Sequence, residues 1–260
     1  MTAPVVLVTG STDGIGRAAA GLLAARGASV LLHGKDPVKG AGVLDDLRRR
    51  YPRAGLDLVT ADLRDPAAIG GLADAVSETH GRLDVLINNA GVFQQRRALT
   101  PEGLETTFAV NALAPYRVTR TLLPQLSVRG RIVNTASIAH MSTTAIDWDN
   151  IQGERRYDGH AAYSLSKLGV VLMTRGFADR GVEAVSLHPG VCATKLLAAG
   201  FPGSQGASPL LGGENEARLA TVEAVESGGY YDQAVPARPS RLARDPELPH
   251  RWCRLLQSFG

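Results

Sequence analysis

The segment VVLVTGSTDGIG, residues 5–16, contains a strand, a loop and the start of a helix. An apolar run that predicts a strand leads directly into glycines at 10, 14 and 16, and an apolar stripe with helical spacing begins at Ile15. Glycine lets the backbone approach a pyrophosphate closely, and the first turn of a helix offers free N–H groups and a positive dipole end. Glycines also serve ordinary turns, but their position between a strand and a helix favours a nucleotide-binding loop.

Strand-like and helix-like segments alternate along the chain. Several strand candidates are continuous apolar runs, as in strands buried on both faces of a parallel sheet. The strand candidates are VVLVTG (5–10), ASVLLHG (28–34), LDLVTAD (56–62), LDVLINNAG (83–91), GRIVNTAS (130–137), EAVSLHPG (183–190) and GGYYDQ (228–233). Helical patterns lie near 37–51, 66–80, 101–126, 160–180 and 213–225, and around HRWCRLLQSF (250–259). This order predicts an α/β fold: a single doubly wound Rossmann domain, with a mostly parallel sheet of about seven strands and helices on both faces.

The chain of 260 residues is 44% hydrophobic and 20% charged, and no linker divides it, so we expect one domain over 1–260. Its most irregular parts are an insertion at 141–160 and a glycine-rich substrate loop at 196–213, which we expect to be mobile. Both follow predicted strand ends, on the side where open α/β sheets bind ligands.

The formal net charge of +3 is located in a basic tail at 236–260, which has five Arg against one Asp and one Glu. The rest of the chain has no net charge and so lacks the excess of basic residues typical of nucleic-acid-binding proteins. We therefore expect no nucleic-acid partner. No apolar run approaches the roughly 20 residues of a membrane helix, and no leader pattern opens the chain, so we expect no membrane anchor. Cys192 and Cys253 form no paired motif, which is typical of free thiols in the cytoplasm, and the six His show no metal-ligand spacing, so no metal is expected.

The end of the second predicted strand, LLHGKD (31–36), bears on which dinucleotide would bind. An acidic residue there bonds the ribose 2′-hydroxyl of NAD and repels the 2′-phosphate of NADP. Gly34 takes that position, and Lys35 follows with a charge that could pair with the phosphate, helped by His33. Asp36 would take the NAD role if the strand ran two residues longer, and Lys35 could be a solvated loop residue. NADP(H) is therefore the preferred cofactor, with NAD(H) as the alternative.

A second motif, AAYSLSKLG at 161–169, places Tyr163 and Lys167 one helical turn apart on the same face. A free tyrosine has a pKa of about 10 and is a poor base at neutral pH, but a neighbouring ammonium favours the phenolate. The pair alone could be the polar edge of an ordinary helix. With Ser137 at the end of a predicted strand, it predicts a proton-transfer site instead.

Taken in order, these motifs resemble those of the short-chain dehydrogenase/reductase family. The family's glycine motif, TGxxxGxG, matches residues 9–16, and NNAG matches residues 88–91. An acidic pair after the third strand matches Asp62-Leu63, and the segment PGxxxT matches residues 189–194. Each motif alone has an ordinary reading as a turn or a cap. Because all of them occur in the family's order, the chain is identified as a member.

The resemblance implies four catalytic residues, Asn111, Ser137, Tyr163 and Lys167. Tyr163 would donate a proton to a carbonyl oxygen or take one from an alcohol, and Ser137 would hydrogen-bond the same oxygen. Lys167 would tune Tyr163 and bind the nicotinamide ribose, and Asn111 would hold a water that relays protons. The implied cofactor-binding residues are Gly10, Ser11, Thr12, Asp13, Gly14, Ile15, Gly16, Lys35, Asp62, Leu63, Asn89, Ala90, Gly91, Tyr163, Lys167, Pro189, Gly190, Val191 and Thr194.

The 26-residue separation of Ser137 and Tyr163 is long for this family, and the insertion within it resembles that of the retinol-dehydrogenase-like branch. The segments RIVNTASIAH (131–140) and LHPGVCATKLL (187–197) resemble the same branch. The positions of residues just after the motifs predict a largely apolar substrate pocket. Its expected members are Phe93, Ile138, His140, Met141, Leu196, Leu197 and Phe201, although His140 could instead be a local hydrogen-bonding residue.

The expected activity is hydride transfer between NADP(H) and the carbonyl or secondary alcohol of a small, largely apolar substrate, as in a carbonyl reductase. Two alternatives stay open: a tailoring enzyme of secondary metabolism that uses the same site for acid/base chemistry without net redox change, and a non-catalytic NADP(H)-binding regulator. The resemblance implies a homodimer or tetramer, but the insertion and tail could cap the interface and leave a monomer. The natural substrate and the direction of reaction stay open.

Overall fold

The computed structural model describes residues 3–259. Its strands are β1 (Val5–Val8), β2 (Ser29–Gly34), β3 (Leu56–Thr60), β4 (Leu83–Asn88), β5 (Leu126–Thr135), β6 (Glu183–His188), β7 (Tyr230–Asp232) and β8 (Val235–Ala237). They form one sheet in the order β3-β2-β1-β4-β5-β6-β7-β8, parallel except for the last pair. This confirms the predicted sheet and adds the short eighth strand, whose three residues include Pro236 and carry no strand-like pattern.

The helices cover both faces of the sheet. They are α1 (Gly14–Ala25), α2 (Pro37–Arg50), α3 (Pro66–Thr79), α4 (Thr106–Phe108), α5 (Ala114–Leu122), α6 (Gly159–Ala178), α7 (Lys195–Gly200), α8 (Pro209–Thr221) and α9 (Leu248–Gln257). Within residues 3–259, none has both the length and the apolar character needed to cross a bilayer.

Alternate side chains of each central strand enter two separate cores. In β1, Leu7 belongs to the core formed with α3, α5, α6 and α9, whereas Val6 and Val8 belong to the core formed with α1, α2 and α8. All four residues of β1 are buried, which is why its sequence is apolar without alternation. The arrangement leaves the carboxyl ends of seven parallel strands along one edge, where ligands of such sheets bind.

The single helix predicted over 101–126 is interrupted. It begins at α4, where the Glu105 carboxylate accepts the N–H groups of Thr107 and Phe108 at 2.8 and 2.7 Å. It then passes through a π-helical turn at Ala109–Leu113 before continuing as α5. Such turns occur frequently at functional sites, and this one contains Asn111.

Helix α9 packs on α6 through two glycines. A Cβ on Gly169 would overlap the Trp252 indole, and one on Gly176 would overlap the Cys253 sulfur. Beside them, the Arg251 guanidinium carbon lies 3.8 Å from the ring centroid of Trp148, which belongs to the insertion. The insertion and the basic tail are therefore joined on one face of the domain.

Candidate active site

The glycine loop joins β1 to α1 at the carboxyl edge of the sheet. Gly10 and Gly14 have positive φ angles of 66° and 52°, which residues with side chains rarely adopt. A Cβ on Gly16 would overlap the Asn89 amide. Asp13 caps α1 by accepting the Gly14 N–H at 2.9 Å. The loop is thus shaped by positions where only glycine fits.

His33, at the end of β2, supports this loop from below. Its Nδ1 accepts a 3.1 Å hydrogen bond from the Gly10 N–H, and its Nε2 lies 3.1 Å from the Ala61 carbonyl. Burial lowers the pKa of His33 to about 4, so the ring is neutral. Because both ring nitrogens lie within hydrogen-bond distance of backbone groups, His33 supports the shape of the loop, and its help in binding a phosphate stays a prediction. Ser11 and His33 also exchange hydrogen bonds, so Ser11 lies under the loop surface.

The strand end expected to select the dinucleotide has no room for an acidic side chain. A Cβ on Gly34 would lie 2.5 Å from Cγ2 of Thr12. Strand β2 ends at Gly34, and Asp36 caps α2 by accepting two N–H groups of its first turn at 3.0 Å. Asp36 therefore caps α2 and does not line the groove, whereas Lys35 does.

Partly exposed ion pairs surround the loop. Lys195 and Lys39 lie 2.8 and 2.6 Å from the Asp13 carboxylate and hold its pKa well below the usual range. Farther along, Asp62 accepts hydrogen bonds from Arg64, the shortest at 2.6 Å, and these lower the pKa of Asp62. Asp62 and Leu63 line the groove as expected, and Arg64 lines it as well, although the sequence did not single it out.

The segment NNAG after β4 fixes the loop against the neighbouring strand. The Asn89 amide donates to the Thr9 carbonyl at 2.7 Å, and the Thr9 hydroxyl accepts the Ala90 N–H at 3.1 Å. Asn88 instead points into the core, where it donates to the Asn134 side chain at 2.8 Å. The second Asn therefore faces the groove and the first is structural.

The segment after β6 forms another wall of the groove. The Asn215 amide donates to the Pro189 carbonyl at 3.1 Å, and Gly190 turns the chain with a φ of 97°. Thr194 caps α7 and lies close to the glycine loop, since a Cβ on Gly14 would be 3.3 Å from its methyl group. The predicted residues of this segment, Pro189, Gly190, Val191 and Thr194, all line the groove.

Ser137, Tyr163 and Lys167 line the same groove beyond the loop. Tyr163 is 6% exposed, and burial raises its pKa to about 12, an effect that its hydrogen bond with Ser137 opposes. The Lys167 Nζ lies 5.7 Å from the Tyr163 ring centroid and donates to the Thr135 carbonyl at 2.7 Å. Burial lowers the pKa of Lys167 to about 8. Displaced pKa values of two neighbouring groups in a groove are typical of a site for proton transfer.

Asn111 is buried in its π-helical turn. Its Oδ1 accepts the Val92 N–H at 2.8 Å, and its Nδ2 donates to the Val92 carbonyl at 2.9 Å and to the Ser166 hydroxyl at 3.1 Å. A Cβ on Gly91 would lie 3.5 Å from Asn111 Oδ1 and 3.6 Å from Lys167 Nζ. Asn111 therefore lies near the lysine without lining the groove, and its water-relay role stays a prediction.

The groove has a volume of about 1190 Å³ and continues beyond Ser137, Tyr163 and Lys167 to the segments predicted to contact substrate. The predicted pocket residues that line it are Ile138, Met141, Leu196, Leu197 and Phe201. Much of the insertion lines it too, from Met141 through Asp158. The segment whose length resembled the retinol-dehydrogenase-like branch thus forms a wall of the groove.

Two expected pocket residues lie elsewhere. His140 is fully buried: its Nδ1 lies 2.7 Å from the Ser137 carbonyl, and its Nε2 accepts the Ser240 N–H at 3.2 Å. The prediction of His140 as a pocket residue is wrong, and the alternative of local hydrogen bonding describes it. Phe93 does not line the groove but supports Tyr163, with 5.8 Å between ring centroids.

His160 lines the groove and was missed by sequence reasoning. Its ring packs between Phe93 and Phe201, at centroid distances of 5.1 and 5.0 Å. It lies three residues before Tyr163 on α6, so helical spacing from the catalytic residue could have identified it. Ser11 and Gly16, which were expected to bind the cofactor, do not line the groove and act on the shape of the loop.

Known proteins share this geometry and its motifs. A sequence model of the family described as short chain dehydrogenase matches residues 4–203. Human retinol dehydrogenase 13 is 34% identical over 279 aligned positions, covering 98% of this chain and 84% of that protein. A Streptomyces sp. (strain C5) protein provisionally named daunorubicin C-13 ketoreductase is 36% identical, covering 74% of this chain and 67% of its own length. The crystal structure of a Burkholderia cenocepacia short chain dehydrogenase in complex with NADP is similar with a TM-score of 0.72 and 26% identity, covering 88% of this chain and 95% of that one. The chain belongs to the short-chain dehydrogenase family of oxidoreductases, in its retinol-dehydrogenase-like branch.

Proposed function

We propose that this chain is an NADP(H)-dependent carbonyl reductase that acts on small, largely apolar ketones or aldehydes. The observation that carries the proposal is one continuous groove with the glycine loop at one end and Ser137, Tyr163 and Lys167 at the other. Two of the similar proteins are named for an alcohol, retinol, and for the reduction of a ketone. Both names fit interconversion of an alcohol and a carbonyl.

The residues present suit a dinucleotide. Gly10 and Gly14 hold conformations that open the loop to a pyrophosphate, and the N-terminus of α1 would face it. An acidic side chain has no room at Gly34, and Lys35 would pair with a 2′-phosphate, which favours NADP(H) over NAD(H). The similar Burkholderia enzyme was solved with NADP. Bound here, the cofactor would supply the hydride that reaches the carbonyl carbon.

Tyr163 suits the role of proton donor. Because burial raises its pKa to about 12, the phenol keeps its proton at neutral pH, which is the form that carbonyl reduction consumes. Ser137 would donate a hydrogen bond to the same carbonyl oxygen and stabilise its growing negative charge. Once Tyr163 has given up its proton, the nearby Lys167 ammonium would stabilise the phenolate.

The substrate side favours apolar molecules. Ile138, Met141 and Val191 line the groove and are 44%, 39% and 47% exposed. Exposed apolar surface in a groove is typical of a binding site. A bound hydrocarbon or aromatic ring would cover these side chains, while its carbonyl reached Tyr163.

The test is NADPH consumption with a panel of ketones and aldehydes, including retinal, compared between wild type and Tyr163→Phe. The variant should lose about 10² to 10⁴ of the rate, because it lacks the transferred proton, while NADPH binding followed by fluorescence is retained. Equal rates in the two proteins for every substrate would overturn the proposal. Product masses two hydrogens above the substrates would separate reduction from acid/base chemistry without redox change.

A further inference from the structure

Glu216 is a fully buried carboxyl that no motif of the sequence predicted. It lies on α8, and its Oε1 accepts a 2.7 Å hydrogen bond from the Thr135 hydroxyl. Its second oxygen, Oε2, has no hydrogen-bond partner among residues 3–259. Burying an ionisable group with an unpaired oxygen costs free energy, so its presence calls for a compensating role.

Thr135 connects Glu216 to the catalytic lysine. This residue ends β5, and it uses both of its polar groups: the hydroxyl donates to Glu216, and the carbonyl accepts from Lys167 Nζ at 2.7 Å. The Glu216 carboxyl and the Lys167 ammonium therefore both hydrogen-bond to Thr135, one through its hydroxyl and the other through its carbonyl. A change at Glu216 would be transmitted to the carbonyl that orients Lys167.

Helix α8 fixes Glu216 in this place. Gly212 and Gly213 let the helix approach α1 so closely that a Cβ on either would press on Ile15 or Ala18. Asn215, next to Glu216, donates to the Pro189 carbonyl at 3.1 Å. Two adjacent polar side chains of α8 thus support two walls of the groove from behind.

The two buried charges also act on each other. Burial lowers the pKa of Lys167 to about 8, and the charge of Glu216 raises it again. Burial raises the pKa of Glu216 to about 7, while the hydrogen bond from Thr135 and the charge of Lys167 lower it. In the low dielectric of the interior such a charge is weakly screened.

We propose that Glu216 is a positioning residue: through Thr135 it orients the carbonyl that binds Lys167, and its carboxylate supports the positive charge of that lysine from behind the groove. The role in the reaction rests on the proposed function, because the lysine matters to catalysis only if Tyr163 transfers protons. The contact with Lys167 itself belongs to the folded chain and can be tested without any substrate.

Other titratable and charged groups surround the pair on every packed element. The charge of Glu216 acts on Cys192, and that of Lys167 acts on His188. The neighbouring groups are Tyr163 on α6, His188 on β6, His140 and Asp232 beside His188, and Cys192 after β6. Substitution of Glu216 by Gln leaves all of these in place, so a change at Lys167 can be assigned to the lost charge.

The chain has only four lysines, so the side-chain NMR signals of isotope-labelled lysine can resolve Lys167, assigned by its loss in Lys167→Arg. In Glu216→Gln we expect the pKa of Lys167 to fall by roughly half a unit or more, because the opposite charge is gone. Thr135→Val should move it in the same direction by a smaller amount, since the carboxylate loses its hydrogen bond. Glu214→Gln removes the same charge from an exposed position of α8 and should leave the Lys167 pKa unchanged.

The pH profile of carbonyl reduction supplies a second measurement. Below about pH 6 the wild-type carboxyl is itself protonated, so Glu216→Gln and wild type should have equal rates. Above about pH 8 the variant should be slower by about threefold, the ratio that half a pH unit represents. If the Lys167 pKa is the same in wild type and in whichever of Glu216→Gln and Thr135→Val folds, the proposal is overturned. If the pKa shifts but no carbonyl is reduced, the contact stands and the proposed function fails.

Discussion

The two ends of the groove are built in different ways. The phosphate end, named for its proposed role, is the glycine loop of residues 10–16, and the ion-paired side chains of Lys39, Asp13 and Lys195 around it are 41% to 85% exposed. The catalytic end, likewise named for its proposed role, contains Ser137, Tyr163 and Lys167. Its charged groups are inside the protein, where Lys167 is 3% exposed and Glu216 is fully buried. One end therefore relies on chain geometry and the other on side-chain chemistry.

This difference decides which substitutions matter at each end. Exposed ion pairs are screened by water and salt and contribute about 0 to 1 kcal/mol, whereas buried polar groups are screened weakly. Changes of charge should thus have salt-dependent effects at the phosphate end and salt-independent effects at the catalytic end. Changes of backbone geometry should matter most at the phosphate end.

After Tyr163→Phe, the largest effect is expected at Ser137. Ser137→Ala removes the hydrogen bond that Ser137 is proposed to donate to the substrate oxygen, and it should lower kcat for carbonyl reduction by about 10² to 10³. The hydrogen bond between Ser137 and Tyr163 lowers the pKa of Tyr163, so the variant should also move the rising limb of alcohol oxidation to higher pH. The limb moves to higher pH because oxidation needs the Tyr163 phenolate, which forms only at higher pH once this hydrogen bond is lost. Steady-state rates across pH check both effects, and a kcat within threefold of wild type would contradict them.

The next effect concerns geometry at the phosphate end. Gly16→Ala would press its methyl group on Asn89 and the Gly10 carbonyl, so we expect a loss of about 1–3 kcal/mol in unfolding free energy and weaker NADPH binding. Gly42→Ala is the matched control, because a Cβ there meets open space in the exposed face of α2. The control should stabilise the protein by about 0.5–1 kcal/mol. Urea unfolding of both variants measures these changes in unfolding free energy. Similar unfolding midpoints for the two variants would show that the loop tolerates a methyl group.

A smaller effect is expected from Lys35. Lys35→Ala should weaken NADPH binding by about tenfold and leave NADH binding unchanged, because only NADPH carries the 2′-phosphate. Lys39→Ala removes the same charge from a residue that does not line the groove, and it should not discriminate between the cofactors. Titrations at low and high salt should show the Lys35 effect shrinking as screening increases. An equal loss of NADH affinity would exclude this role for Lys35.

The smallest effect is expected from Lys195, whose ion pair with Asp13 joins α7 to the glycine loop at the surface. Lys195→Ala should lower the unfolding free energy only slightly, and the loss should disappear in high salt. Thermal unfolding at two salt concentrations measures this loss. A loss that is the same at both salt concentrations would contradict the contrast between the two ends.

Many groove-facing residues could be predicted from the sequence because they occur in short motifs. The glycines of residues 9–16, and Tyr163 with Lys167, are close in sequence, so local spacing reveals them. Residues that act from the core side carry no such pattern. Thr135 and Glu216 are 81 residues apart, and His140 and Ser240 are 100 apart, so only the folded chain brings each pair together.

Contacts that form only in the folded chain also explain where the predicted helices and strands differ from the observed ones. The helix predicted over 101–126 has a continuous apolar pattern, but the buried Glu105 cap delays its start and a π-helical turn interrupts it. Strand β8 forms because it pairs with β7, and no pattern of its own marks it. Asp36 was considered as a ribose ligand for the case of a longer second strand, but β2 ends at Gly34 and Asp36 caps α2.

The seating of α9 on α6 limits how this enzyme can be recombined with its relatives. The insertion at 141–160 is the natural segment to exchange if a different substrate is wanted, since it lines so much of the groove. Its Trp148, however, packs beneath Arg251 and beside Trp252 of α9. A chimera that imports only the insertion would leave those α9 side chains facing a foreign surface, so the two segments should be inherited together.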